Sequence, residues 1–164
     1  MEIVRARLED AKQLVELHTT LSQQHPFVPT IVETMELRQE WMDYYLRENR
    51  EYHEVILAKE KDQIIGNIWI GHMDDTERAH HGGFGIAILK EHLNQKIGTA
   101  LLEKAEEWAH KKQLRKIRAK VVNDNLGAVF FFLKRGFQFE GTKRESYAYE
   151  GTFHDEYILA KDLT

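Results

Sequence analysis

The 164-residue chain contains no cysteine. That excludes disulfides, thiolate metal sites and a cysteine nucleophile, and it agrees with a reducing compartment. Only two prolines occur, Pro26 and Pro29, both in the stretch His25-Pro-Phe-Val-Pro29, so no Pro-rich linker divides the chain. Internal repeats, low-complexity segments and long apolar runs are also missing. No run is long enough to cross a bilayer, and Met1–Asp10 has no apolar signal core. Basic excess is absent: 23 Lys and Arg stand against 27 Asp and Glu, a net charge of −4, so nothing favours non-specific binding to nucleic acid. What remains is 42% hydrophobic and 30% charged residues, an ordinary globular composition. The expectation is a single cytoplasmic domain of bacterial type over residues 1–164, with neither membrane nor nucleic acid as partner.

Periodicity predicts the elements. Ile3–Ala6 reads as a first strand. Asp10 is placed to cap a helix to about Ser22, with Ala11, Leu14, Val15, His18 and Leu21 on one face. The two prolines break it, and a second helix covers Met35 to Glu48. Val55–Ala58 and Ile64–Ile70 read as a hairpin turning at Lys61-Asp62. His81–Leu89 reads as a strand unusually rich in glycine (Gly82, Gly83, Gly85), a sign of a bulge or of close approach by another backbone or a ligand. A helix after Gly98 carries Leu101, Leu102, Ala105, Trp108 and Ala109 at helical spacing. Ile117–Val122 is a strand, and Asn125 caps a short helix ending at Gly136. Phe137–Tyr149 and Thr152–Ala160 form a closing hairpin around Glu150-Gly151. The order β α α β β β α β α β β predicts an α+β (α/β-like) fold, a mixed sheet with helices on its faces.

The stretch Gly85 to Lys104 combines a strand, a polar loop and a helix start, with Gly98 at the junction. A helix N-terminus presents unpaired N–H groups and partial positive charge, and a glycine there admits phosphate closely. A dinucleotide fold is one rival, but His92-Leu-Asn-Gln-Lys-Ile-Gly98 supplies neither Gly-x-Gly-x-x-Gly nor the later ribose-binding acid.

The element order and two local motifs resemble the GNAT superfamily of acetyl-CoA-dependent N-acetyltransferases, as a small-molecule or RimJ/RimL-like member. The likeness covers almost the whole chain, strongest from Gly85 to Phe137 and again at Phe153-His-Asp-Glu-Tyr157. The family's Arg/Gln-x-x-Gly-x-Gly/Ala is represented by Leu93-Asn-Gln-Lys-Ile-Gly98, with Leu93 and Lys96 departing from it. A shifted frame, Gln95-Lys-Ile-Gly98-Thr-Ala100, fits the bare pattern but displaces strand and helix. The second motif, Asn-x-x-Ala then Tyr-x-x-x-Gly-Phe, is Asn125-Leu-Gly-Ala128 then Phe132-Leu-Lys-Arg-Gly136-Phe137, with Phe132 where tyrosine is frequent.

The resemblance implies a twisted, mostly antiparallel sheet of about seven strands with a splayed parallel pair, flanked by about four helices. It further implies acetyl-CoA as acetyl donor. Ile86, Ala87 and Ile88 would offer backbone groups to the pantetheine amides, and Gln95, Lys96, Ile97, Gly98 and Thr99 would hold the pyrophosphate. Asn125 and Ala128, from the second motif, complete the cofactor set. The implied reaction is direct attack of a neutral primary amine on the thioester in a ternary complex, with the oxyanion met by a backbone N–H near Ile88. The acceptor is a small-molecule amine or a peptide N-terminus, and the C-terminal hairpin is a plausible homodimer contact. Phe132 cannot donate a proton to the leaving thiolate; Tyr147, Tyr149 and His154 are other donors.

Candidate bases are His80 and His81, at the start of the cofactor strand, and Glu54, at the start of another. Phe27, between the two prolines, is a candidate acceptor contact, because that loop often borders the acceptor pocket in the family. The nine histidines are scattered. His80 and His81, as neighbours on a strand, are expected to face opposite sides, and no metal site is expected. Phe130-Phe-Phe132 and the three tryptophans, Trp41, Trp69 and Trp108, read as core. The alternative to an enzyme is a non-catalytic acyl-CoA-binding or regulatory module on the same fold, suggested by Leu93, Lys96 and Phe132.

Overall fold

Two tight turns with left-handed central residues shape the hairpins. Lys61 and Asp62 have φ of 48° and 66°, and Glu150 and Gly151 have 48° and 73°. This is the type I′ pattern, whose twist matches that of paired strands. The turns join β2 (His53–Glu60) to β3 (Gln63–His72) and β6 (Gln138–Tyr149) to β7 (Thr152–Asp162). Both turns stand where the sequence predicts them. The computed structural model describes residues 1–29, 35–47 and 50–164, and for 35–38 and 41 the backbone alone. The predicted end of the second helix at Glu48 and the side chain of Trp41 therefore lie outside the described residues.

The remaining elements are β1 (Glu2–Arg5), α1 (Ala11–Gln24), α2 (Met35–Leu46), β4 (His81–Ile88), α3 (Ile97–Lys111), β5 (Lys116–Val122) and α4 (Leu126–Leu133). The seven strands form one sheet in the order β1-β2-β3-β4-β5-β7-β6. The pairs β1–β2, β2–β3, β5–β7 and β6–β7 are antiparallel, and β4–β5 is parallel. Among the described residues, the mixed sheet and the four α-helices agree with the expected fold. The chain divides into two compact units: Met1–Gly71 with Ile86–Trp108, and His72–Gly85 with Ala109–Thr164.

In the first unit, Val55–Ala58 and Ile64–Ile68 are buried as continuous runs, the pattern of strands covered on both faces. Leu14 and Leu21 of α1, Leu57, Ile68 and Ile70 of the strands, and Leu101 of α3 are fully buried. Asp10 occupies the N-cap position of α1, but its carboxylate does not cap the helix. It accepts from the Arg7 N–H at 2.8 Å and from Lys59 Nζ at 2.6 Å instead. The predicted cap is thus a buried ion pair, preceded by a 3-10 turn over Leu8–Asp10. His18 shares the apolar face of α1, and desolvation there lowers its pKa to about 4.

In the second unit, Asn125 Oδ1 accepts from the Ala128 N–H at 3.4 Å and so caps α4. The helix ends through Lys134, and Gly136 takes φ of 88°, the left-handed stop expected of glycine. Phe132 is buried, its ring 5.5 Å from that of Phe84 and 5.2 Å from that of Phe137. The reading of Phe130-Phe-Phe132 as uniformly core needs correction. Phe130 points outward and is 58% exposed, and Phe131 carries the Arg135 guanidinium 3.7 Å above its ring. Three consecutive helical residues span some 200° of the helix face, too much for one buried stripe. Trp69 and Trp108 are half-buried rather than fully core.

Candidate functional site

Within the first unit the candidate cofactor residues lie on the exit of β4 and the entry of α3. Ile86, Ala87 and Ile88 close the strand and are half-buried. Leu89 N–H donates to the Ile65 carbonyl at 2.9 Å, which anchors the chain as it leaves the sheet. A 3-10 turn over Lys90–His92 follows, and Gln95 Nε2 donates to the Glu91 carbonyl at 3.3 Å. Ile97 is buried and pins the helix start; Gly98 is buried in the first turn, and Thr99 follows half-buried. Ala100 N–H donates to the Lys96 carbonyl at 3.1 Å, so the turn before it is where an α-helix leaves N–H groups without an intrahelical acceptor.

The loop has an unusual backbone. Asn94 and Lys96 both have φ of 62°. Asparagine tolerates the left-handed region, whereas lysine rarely enters it. Lys96 is the residue that the first frame of the motif aligns with a glycine, so the conformation that a glycine would permit is kept although the residue has changed. The exposed Lys96 side chain leaves from this bend as a cation beside the helix N-terminus.

The sequence reading missed Gln24 and His25. His25 Nε2 lies 3.1 Å from the Ile88 carbonyl oxygen. Gln24 Oε1 accepts from the Lys90 N–H at 2.9 Å, while its Nε2 donates to Glu91 Oε2 at 3.2 Å. The only local signal was the Gln-His-Pro helix stop, which says nothing about partners more than sixty residues away.

Within the second unit, Asn125 and Ala128 stand at the turn into α4. Asn123 N–H donates to the Asp155 carbonyl at 2.9 Å, and Asp124 Oδ2 is 3.1 Å from His154 Nδ1. His154 pairs across the β6–β7 hairpin with Tyr147. Two of the suggested proton donors therefore share one patch with the Asn123–Asn125 turn. Burial raises the pKa of Tyr147, helped by the Glu156 charge. Desolvation and Glu150 raise that of half-buried Tyr149. Both phenols thus keep their protons at neutral pH.

The three candidate bases have different surroundings. His80 lies in the turn ahead of β4, not on it. The expected alternation therefore does not apply, and the His80 and His81 rings touch edge to face with centroids 4.1 Å apart. Desolvation lowers the His81 pKa, and its neighbours His80, Arg118 and Lys116 lower it further against the opposing Glu140. Glu54, in the first unit, is buried with Oε1 2.9 Å from Arg5 Nε and 3.3 Å from Arg50 Nη1. Phe27 is half-buried in the turn after His25, whose carbonyl accepts from the Val28 N–H at 3.2 Å. Among the described residues no group of three His, Asp or Glu is placed to hold a metal ion, and no helix is long and apolar enough to cross a membrane.

Gly66 and Gly85 mark opposite uses of a missing side chain. A Cβ on Gly66 would stand 3.0 Å from the Ala87 carbonyl oxygen and 3.1 Å from Ile88 Cγ1, so β3 and the end of β4 need that glycine. A Cβ on Gly85 would meet no heavy atom within 4 Å, so packing among the described residues does not account for it.

Comparison with known proteins bears on the family and the fold. Residues 14–137 match the family model described as acetyltransferase (GNAT) family. The L-amino acid N-acetyltransferase AaaT of Escherichia coli is 26% identical over 102 residues, 60% of this chain and 61% of its own length. Two curated Bacillus subtilis relatives match over only 30% and 29% of their own lengths, so the similarity spans less than two thirds of these curated proteins. Among solved structures, the GNAT-family acetyltransferase of Streptococcus pneumoniae superimposes with a TM-score of 0.87 at 27% identity, over 99% of both chains. The structure of YncA from Salmonella typhimurium with its cofactor acetyl-CoA gives 0.85 at 14% identity, over 100% of this chain and 94% of that one, a likeness of fold.

Proposed function

The chain belongs to the acetyltransferase (GNAT) family, and on that premise we propose that it transfers the acetyl group of acetyl-CoA to a primary amine by direct attack in a ternary complex. The observation that carries the reading is the β4–α3 junction. There a left-handed Lys96 leads into the first turn of a 15-residue helix with Gly98 inside it. Such a terminus suits a pyrophosphate. In this reading the N–H groups from Gln95 to Thr99 and the Lys96 ammonium hold the diphosphate. The backbone of Ile86, Ala87 and Ile88 meets the pantetheine amides, and Asn125 and Ala128 complete the cofactor set.

The acetyl carbonyl is polarised by a backbone N–H near Ile88. The amine nitrogen forms the new C–N bond as the C–S bond breaks and the sulfur leaves as thiolate. A thiol of pKa about 8.5 is a tolerable leaving group without an acid, which fits a buried, hydroxyl-free Phe132. The amine proton goes to a base directly or through water. His81 is the first candidate, because its lowered pKa keeps it neutral at neutral pH. Glu54 is already engaged by two arginines. The protonated phenol of Tyr147 or Tyr149 is available to the thiolate, and His154 is the third candidate donor.

The acceptor is a small-molecule amine or a peptide N-terminus. The name of the 26% identical relative makes L-amino acids the first class to test, and Phe27 is the residue proposed to touch them. We place the protein in the cytoplasm as one domain that can pair through its C-terminal hairpin. The test is calorimetric titration with acetyl-CoA, with NADH as control, followed by thiol release across an amine panel. Binding of acetyl-CoA alone, with turnover of at least one amine, is expected. No binding overturns the cofactor assignment; binding without turnover of any amine favours a non-catalytic acyl-CoA-binding module.

A further inference from the structure

The cofactor seat of the first unit is not held by its own strand and helix alone. The last turn of α1 reaches it through three side-chain hydrogen bonds: His25 Nε2 to the Ile88 carbonyl, the Lys90 N–H to Gln24 Oε1, and Gln24 Nε2 to Glu91 Oε2. Both ends of the Gln24 amide are used, one as acceptor and one as donor, which fixes its orientation. The groups they engage fall within four residues, Ile88 to Glu91. Ile88 is the last residue of β4, Lys90 begins the 3-10 turn and Glu91 lies within it. Glu91 in turn receives Gln95 Nε2 on its carbonyl, one residue before Lys96. From the other side the same segment is tied by the Leu89 N–H to Ile65. A chain leaving a strand toward two left-handed residues has few contacts of its own to set its direction; here α1 supplies them.

We propose that Gln24 and His25 are positioning residues for the cofactor, a role that rests on the acetyl-CoA reading above. They touch neither cofactor nor acceptor in this account. They act by holding the exit of β4, and with it the aim of the Ile86–Ile88 backbone groups and the bend at Asn94–Lys96. Since the hydrogen bonds of Gln24 are exposed, losing them costs the fold little, and the effect falls on how well the loop is organised before the cofactor arrives.

The pair Gln24 and Glu91 permits a reversal test. Gln24→Glu keeps the acceptor for Lys90 N–H but sets two carboxylates against each other. Adding Glu91→Gln restores a donor–acceptor pair with its partners exchanged. His25→Ala removes the contact to Ile88, and His25→Gln returns an amide donor near the place of Nε2. The full-length chain and these variants are titrated with acetyl-CoA by calorimetry, with melting temperature and the acetyl-CoA KM and kcat recorded alongside. Gln24→Glu and His25→Ala are each expected to weaken acetyl-CoA binding about fivefold, the worth of about one hydrogen bond. KM should rise more than kcat falls and melting temperature should change little. The double variant and His25→Gln should recover most of the affinity. If the wild type binds acetyl-CoA and the single variants bind equally well, or the double variant does not recover, the positioning role is overturned and the cofactor reading stands. If the wild type does not bind acetyl-CoA, both fall.

Discussion

Gly66 faces Ala87 so closely that a Cβ on the glycine would stand 3.0 Å from the Ala87 carbonyl oxygen. The contact sets how near β3 comes to the part of β4 proposed to meet pantetheine. Gly66→Ala is expected to push that backbone outward and to destabilise the protein by about 1–3 kcal/mol, the usual cost of overpacking. It should also weaken acetyl-CoA binding. Denaturant unfolding measures the first effect and calorimetry the second; a fully stable variant would mean that the strand gives way at no cost.

Lys96 bears a conformation that costs an ordinary residue about 1–2 kcal/mol. Lys96→Gly removes that strain, but the more flexible unfolded chain offsets about 0.5–1 kcal/mol. Stability should therefore stay near or slightly above wild type, while Lys96→Val should lose stability. The glycine variant also loses a cation beside the proposed diphosphate. Its acetyl-CoA affinity should fall severalfold at low salt, with the gap to wild type narrowing as screening increases. A gap independent of salt would remove the charge from the explanation.

Gly98→Glu places an anion where the diphosphate is proposed to sit. Cofactor affinity should drop severalfold or more, and Gly98→Ala, which adds bulk without charge, should drop it less. Circular dichroism guards against a folding defect. Equal affinity in all three proteins would show that the junction is not the diphosphate seat.

His18 makes stability depend on pH. Its folded pKa is about 4 against an ordinary 6.5, so between those values the unfolded chain binds a proton that the folded one refuses. Above about pH 6.5 the full stability is present. From there to about pH 4 it should decline by up to about 3 kcal/mol. His81, also lowered, adds in the same direction. Urea unfolding at pH 7.5, 5.5 and 4.5 should show the loss, and His18→Leu should flatten most of it. A His18→Leu variant with the wild-type slope would assign the pH dependence to other groups.

Much of the fold was legible because its signals are local. The left-handed pairs Lys61-Asp62 and Glu150-Gly151, the Asn125 cap and the Gly136 stop depend on a few neighbouring residues each. The element order followed from apolar period and turn chemistry. Asp10 and Phe130 were misjudged for the opposite reason. A carboxylate can cap a helix or pair with a lysine 49 residues later, and a run of three aromatic residues does not say which one faces inward.

The candidate site divides along the same line. By itself the sequence determined where a strand hands over to a helix through a polar loop, that Gly98 stands at the junction, and that Asn125 opens α4. Backbone geometry and capping are set within a turn or two of chain. Only the tertiary structure decided that Lys96 keeps a glycine-like bend, that Glu54 is engaged by Arg5 and Arg50, and that Gln24 and His25 reach the exit of β4. Those facts depend on which distant groups come within about 3 Å once the core is packed, and no local pattern encodes that distance.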